Sequence, residues 1–203
     1  MRQKNRAYKR GEPHRDSTLF VIACEGAVRE KEYFELLGEK SSRIRIKVLS
    51  QDAQHRSAPK WVLDSAATYS SDVGLIEEDQ MWLVLDTDRW PDDQLREIND
   101  ACNANRNWFL ALSNPCFEVW LYIHLDEIET SASQSCAELK TELGQKVKGG
   151  YNKVSFIGNI RQAHDRAKKS DNQPSHFMPS KMRTKLYKLT GAIFNLVGLN
   201  SDL

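Results

Sequence analysis

Met81-Trp-Leu-Val-Leu-Asp-Thr-Asp88 is the stretch on which the fold turns. Its first five residues are all apolar. The run is too short for a buried helix and shows no polar alternation, so it reads as a strand covered on both faces, inside a parallel sheet. Two carboxylates follow where the chain leaves that strand. Leu19-Phe-Val-Ile-Ala-Cys24 repeats the arrangement and ends on Glu25-Gly26, with Gly26 expected to permit a sharp turn. Arg43–Leu49 alternates, with Ile44, Ile46 and Val48 on one side, and reads as a half-buried strand. Trp108–Leu112 is a fourth strand, broken by Asn114-Pro115.

Helical spacing fills the gaps. A helix over 28–37 carries Tyr33, Phe34 and Leu37 on one face. Pro59 opens a second helix, with Trp61, Val62, Ala66 and Tyr69 as candidate buried positions. Pro91-Asp-Asp starts a third, with Leu95, Ile98 and Cys102 recurring. Cys116–Leu125 is a fourth, carrying Phe117, Trp120, Leu121 and His124. Strands alternating with helices predict an α/β fold: an open, mainly parallel four-stranded sheet with helices on both faces. The expected organisation is a flexible basic arm over 1–17, a catalytic domain over 18–128, and a mainly helical extension over 129–203 packed on the same domain. Within that extension, 138–147, 159–169 and 184–197 read as helices, and 171–179 as a loop.

The chain has 203 residues, enough for one such domain with a full core. No stretch approaches the ~20 apolar residues of a membrane span. The basic N-terminus lacks an apolar segment behind it, so the cytoplasm is the expected compartment. Cys24, Cys102, Cys116 and Cys136 form no CxxC pair, so neither a disulfide framework nor a zinc site is expected. Cys24 and Cys116 read as small core hydrophobes. The net charge of +1 hides an asymmetry. Residues 1–15 carry six Lys/Arg against Glu12; residues 71–100 carry ten Asp/Glu against Arg89 and Arg96; residues 140–188 carry twelve Lys/Arg against three acids. An acidic centre between basic segments suits metal binding beside surfaces that contact phosphates.

In open α/β sheets, sites form at the carboxyl ends of strands. Glu25 ends the first strand, and Asp86 and Asp88 end the third. Hard cations such as Mg²⁺ or Mn²⁺ take oxygen ligands, and carboxylates from separate strands can share one ion. Glu118, just past the fourth strand, is a further candidate for the same edge; as a plain helix-start acid it would interact with the dipole. Asn114 is a candidate cap or substrate contact. His124 reads as a packed or helix-surface histidine more than a base.

These motifs together resemble the Toprim domain, in which an acid followed by Gly after the first strand is joined by DxD after the third. Within that group the chain resembles the RloB family. The matching segments are Cys24-Glu-Gly-Ala-Val-Arg-Glu-Lys-Glu-Tyr-Phe34, Leu85-Asp-Thr-Asp88 and Ser113-Asn-Pro-Cys-Phe-Glu-Val-Trp-Leu121, with His124 beyond and a weaker match at Thr184-Lys-Leu-Tyr-Lys-Leu189. The resemblance implies a Toprim-like fold and a metal-dependent nuclease related to OLD-family enzymes. It also implies an anti-phage or abortive-infection setting beside an ABC/AAA-type ATPase. It carries Glu25, Asp86 and Asp88 over as ligands or acid/base groups, Glu118 through its segment, and Glu30 through the first motif. Arg29 departs from the family, which often has Thr there.

The expectation is therefore a Mg²⁺- or Mn²⁺-dependent phosphodiesterase acting on RNA, with tRNA among the options, or on DNA. Glu25, Asp86, Asp88 and Glu118 are its catalytic candidates, and Arg29, Glu30, Asn114, His124 and Lys181 its substrate-contact candidates. Lys146, Lys148, Lys153, Lys168-Lys169, Arg183, Lys185 and Lys188 extend the basic surface. The rivals are a nucleotidyl or phosphoryl transferase using the same acids, and a non-catalytic adaptor of an ATPase complex. Homo-oligomerisation is left open.

Overall fold

Four strands form where the apolar runs predict them: β1 (Thr18–Cys24), β2 (Ile44–Leu49), β3 (Gln80–Asp86) and β4 (Trp108–Asn114). All pair in parallel. This computed structural model describes residues 17–50, 59–128 and 135–198; the basic arm expected over 1–17 falls outside them, save for residue 17. A fifth strand, β5 (Arg183–Thr184), pairs antiparallel with β4 and gives the order β2-β1-β3-β4-β5. The expected four-stranded sheet thus has five strands. The extra one takes Thr184, expected to open the last helix, which instead begins at Leu186. Two residues carry no readable period; the pairing is tertiary, with Ser113 opposite Thr184 and their hydroxyl oxygens 2.8 Å apart.

Alternation along the buried strands feeds two separate cores. Phe20, Ile22 and Cys24 of β1 join Trp82 and Val84 of β3 on one face; Leu19, Val21 and Ala23 join Met81, Leu83 and Leu85 on the other. The second face is covered by α2 (Pro59–Val73) and α3 (Asp92–Asn103). The first is covered by α1 (Arg29–Gly38), α4 (Glu118–Ile123), α5 (Cys136–Lys146), α6 (Lys153–Gly158), α7 (Ile160–Ser170) and α8 (Leu186–Val197). The C-terminal helices therefore complete the same core as α1. Helical spacing does not reveal α6, which is short; the Asn152 side chain caps it by accepting from the Ser155 N–H at 3.1 Å.

Two links in this half escape periodicity. Lys185 is buried and its ammonium meets the Asp171 carboxylate at 2.6 Å, so it is no part of a basic surface. Cys116 and Cys136 are joined in a disulfide across 20 residues of sequence, which overturns the expectation of no disulfide and the reading of Cys116 as a plain core residue. Cysteine spacing carries no sign of it. α4 and α5 come together only through the fold, and their approach brings the two sulfurs into bonding range.

Candidate metal centre

The chain goes from β1 outward to β2, then crosses back to β3 on the opposite side of β1. Crossovers leave β1 and β3 in opposite directions, and a crevice opens between their carboxyl ends. Glu25 sits at the end of β1, and Asp86 and Asp88 at the end of β3. Cys24 is in register with Val84, so Glu25 lies close to Asp86 across one strand spacing. The Asp86 N–H approaches Glu25 Oε2 at 3.5 Å, a long and weak contact. The turn after β3 is tied to the end of β4, past the cis Asn114–Pro115 peptide. Thr87 N–H is shared between Ser113 O and Pro115 O, each at 3.0 Å, and Asp88 N–H donates to the same Pro115 carbonyl at 3.1 Å.

Gly26 works differently from the expected sharp turn. Its φ is not positive. A Cβ there would collide with the carboxylate of Glu30, one turn on in α1. Glycine thus makes room for a second acid from the same loop. Glu30 is largely withdrawn from solvent, and burial holds its carboxyl above the ordinary range, helped by nearby Glu118. Burial pushes Glu25 up to about 7, against the Asp86 N–H, the indole N–H of Trp90 and Arg89, which favour its charge. The Trp90 N–H stops short of a well-formed hydrogen bond, and Glu25 Oε1 is buried without a partner among the described residues. Asp86 is raised further, first by burial and then by repulsion from Glu30, Glu25, Glu118 and Asp88. Five acids thus share one field, and the innermost two face no basic side chain within 4 Å among the described residues. A fold that desolvates carboxylates and leaves an oxygen orphaned has the donor set of a hard-cation site.

Glu118 reaches this field from α4 but is already engaged. It is buried, and Oε1 lies 3.2 Å from the Arg29 guanidinium and 3.6 Å from the Lys140 ammonium. Cys136 Sγ stands 3.5 Å from Oε2; in a disulfide it has no proton to donate, so the two touch without hydrogen bonding. Cys116, Glu118 and Cys136 cluster as metal-ligating atoms would, but the disulfide removes both thiolates. Arg29 in turn lies over the Tyr151 ring at 5.9 Å, and the Tyr151 hydroxyl donates to the Arg29 carbonyl at 2.9 Å. The guanidinium stays half-exposed at the mouth of the crevice.

A family model described as RloB-like protein matches residues 20–193, from β1 into α8. The chain belongs to the RloB-like family. No curated protein and no solved structure matches it. The family match spans all five acids and the C-terminal helices that support them.

The remaining candidates of this RloB-like chain separate. His124 is 2 % exposed, enclosed by Tyr33, Trp120 and Phe156, and cannot touch substrate. Its Nδ1 lies 2.7 Å from the Trp120 carbonyl, which can only accept, so Nδ1 carries the proton and the Tyr33 hydroxyl donates to Nε2 at 2.9 Å. Asn114 is structural: its amide donates to the Pro179 carbonyl at 3.0 Å. Lys181 is exposed and acts electrostatically on Glu138 of α5. Sequence reasoning did not foresee Lys140 against Glu118 or Tyr151 against Arg29; helical spacing had no means of bringing α5 and the residues after it up to these two side chains. Among the described residues, no helix is long and apolar enough to cross a membrane.

Proposed function

We propose that this RloB-like chain is a Mg²⁺- or Mn²⁺-dependent phosphodiesterase that hydrolyses RNA or DNA, with a Toprim-like centre. In this reading it is an anti-phage effector in the cytoplasm, acting with an ABC/AAA-type ATPase. The observation that carries the proposal is the meeting of Glu25 and Asp86 at the crevice between the carboxyl ends of β1 and β3, desolvated, mutually repelling, and with Glu25 Oε1 lacking any partner among the described residues. Glu25 and Asp86 would hold the ion, with Asp88 completing the set from the solvent side. When bound, it would supply an activated water and neutralise charge on the phosphoryl group. The protein's own residues do the rest. Arg29, held by Glu118 and braced on Tyr151, presents a cation to a phosphate at the mouth of the crevice. Glu118 is thereby a positioning residue and not a ligand. Glu30 packs over Gly26 and keeps the acidic field dense.

The test is cleavage of labelled RNA and DNA by wild type and Asp86→Ala, with Mg²⁺, Mn²⁺ or chelator. Cleavage that needs the ion and is lost in Asp86→Ala is expected. Metal-dependent cleavage equal in both chains, or no cleavage with the ATPase partner present, overturns the proposal.

A further inference from the structure

On the same face as α1, α4 and α7 enclose with β5 a cavity of 160 Å³ that the reaction above does not use. Its polar lining includes Arg166, Lys169 and Arg183, and among the described residues Glu127 is the acid that opposes them. Glu127 is exposed and pairs with Lys169 at 3.5 Å. Neither arginine has a carboxylate within 4 Å among the described residues; exposed Asp126 feels Arg166 without pairing to it.

Both guanidiniums are held in place by backbone carbonyls. Arg183 donates from Nε to Ser170 O at 3.0 Å and from Nη1 to Met182 O at 2.8 Å. Arg166 donates from Nη1 to Ile123 O at 2.8 Å. A guanidinium has five N–H donors, so each keeps several for a ligand. Met182, just before Arg183, is buried with φ 59, a left-handed conformation that non-glycine residues seldom adopt. Two fixed, carboxylate-free arginines at one cavity match the fork geometry that phosphate oxygens accept.

Arg183, which lines the cavity, starts from the same edge of the sheet as the carboxylates, opposite Asn114 at the end of β4. Asp86 is in register with Ser113, and Ser113 with Thr184, the neighbour of Arg183. Two strand spacings therefore separate the backbone at Asp86 from that of β5, on the order of 10 Å. One nucleic-acid strand lying along the carboxyl edge of the sheet can reach both places.

We infer that the Arg166–Lys169–Arg183 cavity is a phosphate subsite that seats a backbone phosphate of a nucleic-acid strand while a neighbouring phosphodiester lies at Glu25 and Asp86. The nucleic-acid identity of the ligand rests on the function proposed above; the anion site does not.

The experiment measures binding of short single-stranded RNA and DNA oligonucleotides across a salt series, with chelator present so that no cleavage occurs. Arg166→Gln and Lys169→Gln are expected to weaken binding several-fold and to flatten the log–log salt slope by about 0.7 for each phosphate no longer neutralised. Arg183→Lys keeps the charge, loses the fork, and is expected to weaken binding in a chain that folds but melts lower, because the hydrogen bonds to Ser170 O and Met182 O go with the fork. Inorganic phosphate is expected to displace the oligonucleotide better than chloride at equal ionic strength, and to lose that advantage in Arg166→Gln. Unchanged slopes in folded Arg166→Gln and Lys169→Gln, or equal effects of phosphate and chloride on wild type, overturn the inference. If these variants behave as expected while no metal-dependent cleavage is ever found, the phosphodiesterase reading falls and the anion site stands. Cleavage with unchanged slopes gives the reverse.

Discussion

Replacing His124 by Gln should change how stability depends on pH. His124 is fully buried in its neutral form, and burial, aided by Arg166, drives its pKa down to about 3 against the pull of the Trp120 carbonyl. In the unfolded chain it returns to ~6.5. The folded pKa is thus depressed. The unfolded state binds the extra proton first as pH falls, so stability present above pH ~6.5 is lost on the way down toward 3. At pH ~5 the unfolded state has gained roughly 1.5 units, or about 2 kcal/mol at ~1.36 kcal/mol per unit. Raised acids such as Glu25 contribute with the opposite sign, being stabilising at low pH and costly as pH rises, but they are common to both chains and cancel in the difference. Urea denaturation of wild type and His124→Gln at pH ~7.5, ~6 and ~5 reads that difference. His124→Gln should be the less stable at high pH, and the gap should narrow by about 2 kcal/mol at pH ~5. Curves that stay parallel over this range would refute the buried neutral imidazole.

Four further outcomes are expected. Asp86→Asn should melt about 2–4 °C above wild type, the shift that ~1 kcal/mol gives in a chain of this size, because it removes an acid whose ionisation burial and like charges oppose; Mn²⁺ should raise the wild-type midpoint and leave Asp86→Asn unmoved. Gly26→Ala should expel the Glu30 carboxylate, a flexible end that moves at small cost, and lower metal affinity, whereas in a Glu30→Ala chain Gly26→Ala should change that affinity little; additive losses of affinity in that double-mutant cycle would count against the collision. Reduction of Cys116–Cys136 should lower unfolding free energy by about 3 kcal/mol, from the entropy of a 20-residue loop, and Cys136→Ser should be insensitive to reductant. Asp171→Ala strands the buried Lys185 ammonium and should cost about 3–5 kcal/mol in chemical denaturation, whereas a loss under ~1 kcal/mol would mean that water reaches the pair.

Much of this architecture is written in β1 and β3, because strands buried on both faces must be apolar throughout and end abruptly where the chain meets water. That abruptness is also why Glu25, Asp86 and Asp88 are legible: an acid directly after such a strand can only stand at the sheet's edge. The partnerships are not legible. Arg183–Thr184 is a strand only because Ser113 and Asn114 offer it an open edge. Lys185 reads as one more surface cation until Asp171 is folded onto it. Glu118 looks like a fourth ligand by position, and only the approach of α1 and α5 reveals that Arg29 and Lys140 already hold it. Gly26 shows its use only against Glu30, whose side chain returns from the next turn of helix.

The Pro115 carbonyl, which accepts from both Thr87 and Asp88, bears on how this turn can vary. The spacing of the two aspartates is set by main-chain groups at both ends, so the side chain between them carries no part of the geometry. Position 87 is therefore free to drift among residues that keep their N–H, and only proline, which has none, is barred. The heritable control over the turn lies some thirty residues away, in the backbone course of the Ser113-Asn114-Pro115 corner. A lineage that reshaped that corner would re-aim Asp88 without changing a letter of the Asp-x-Asp motif itself.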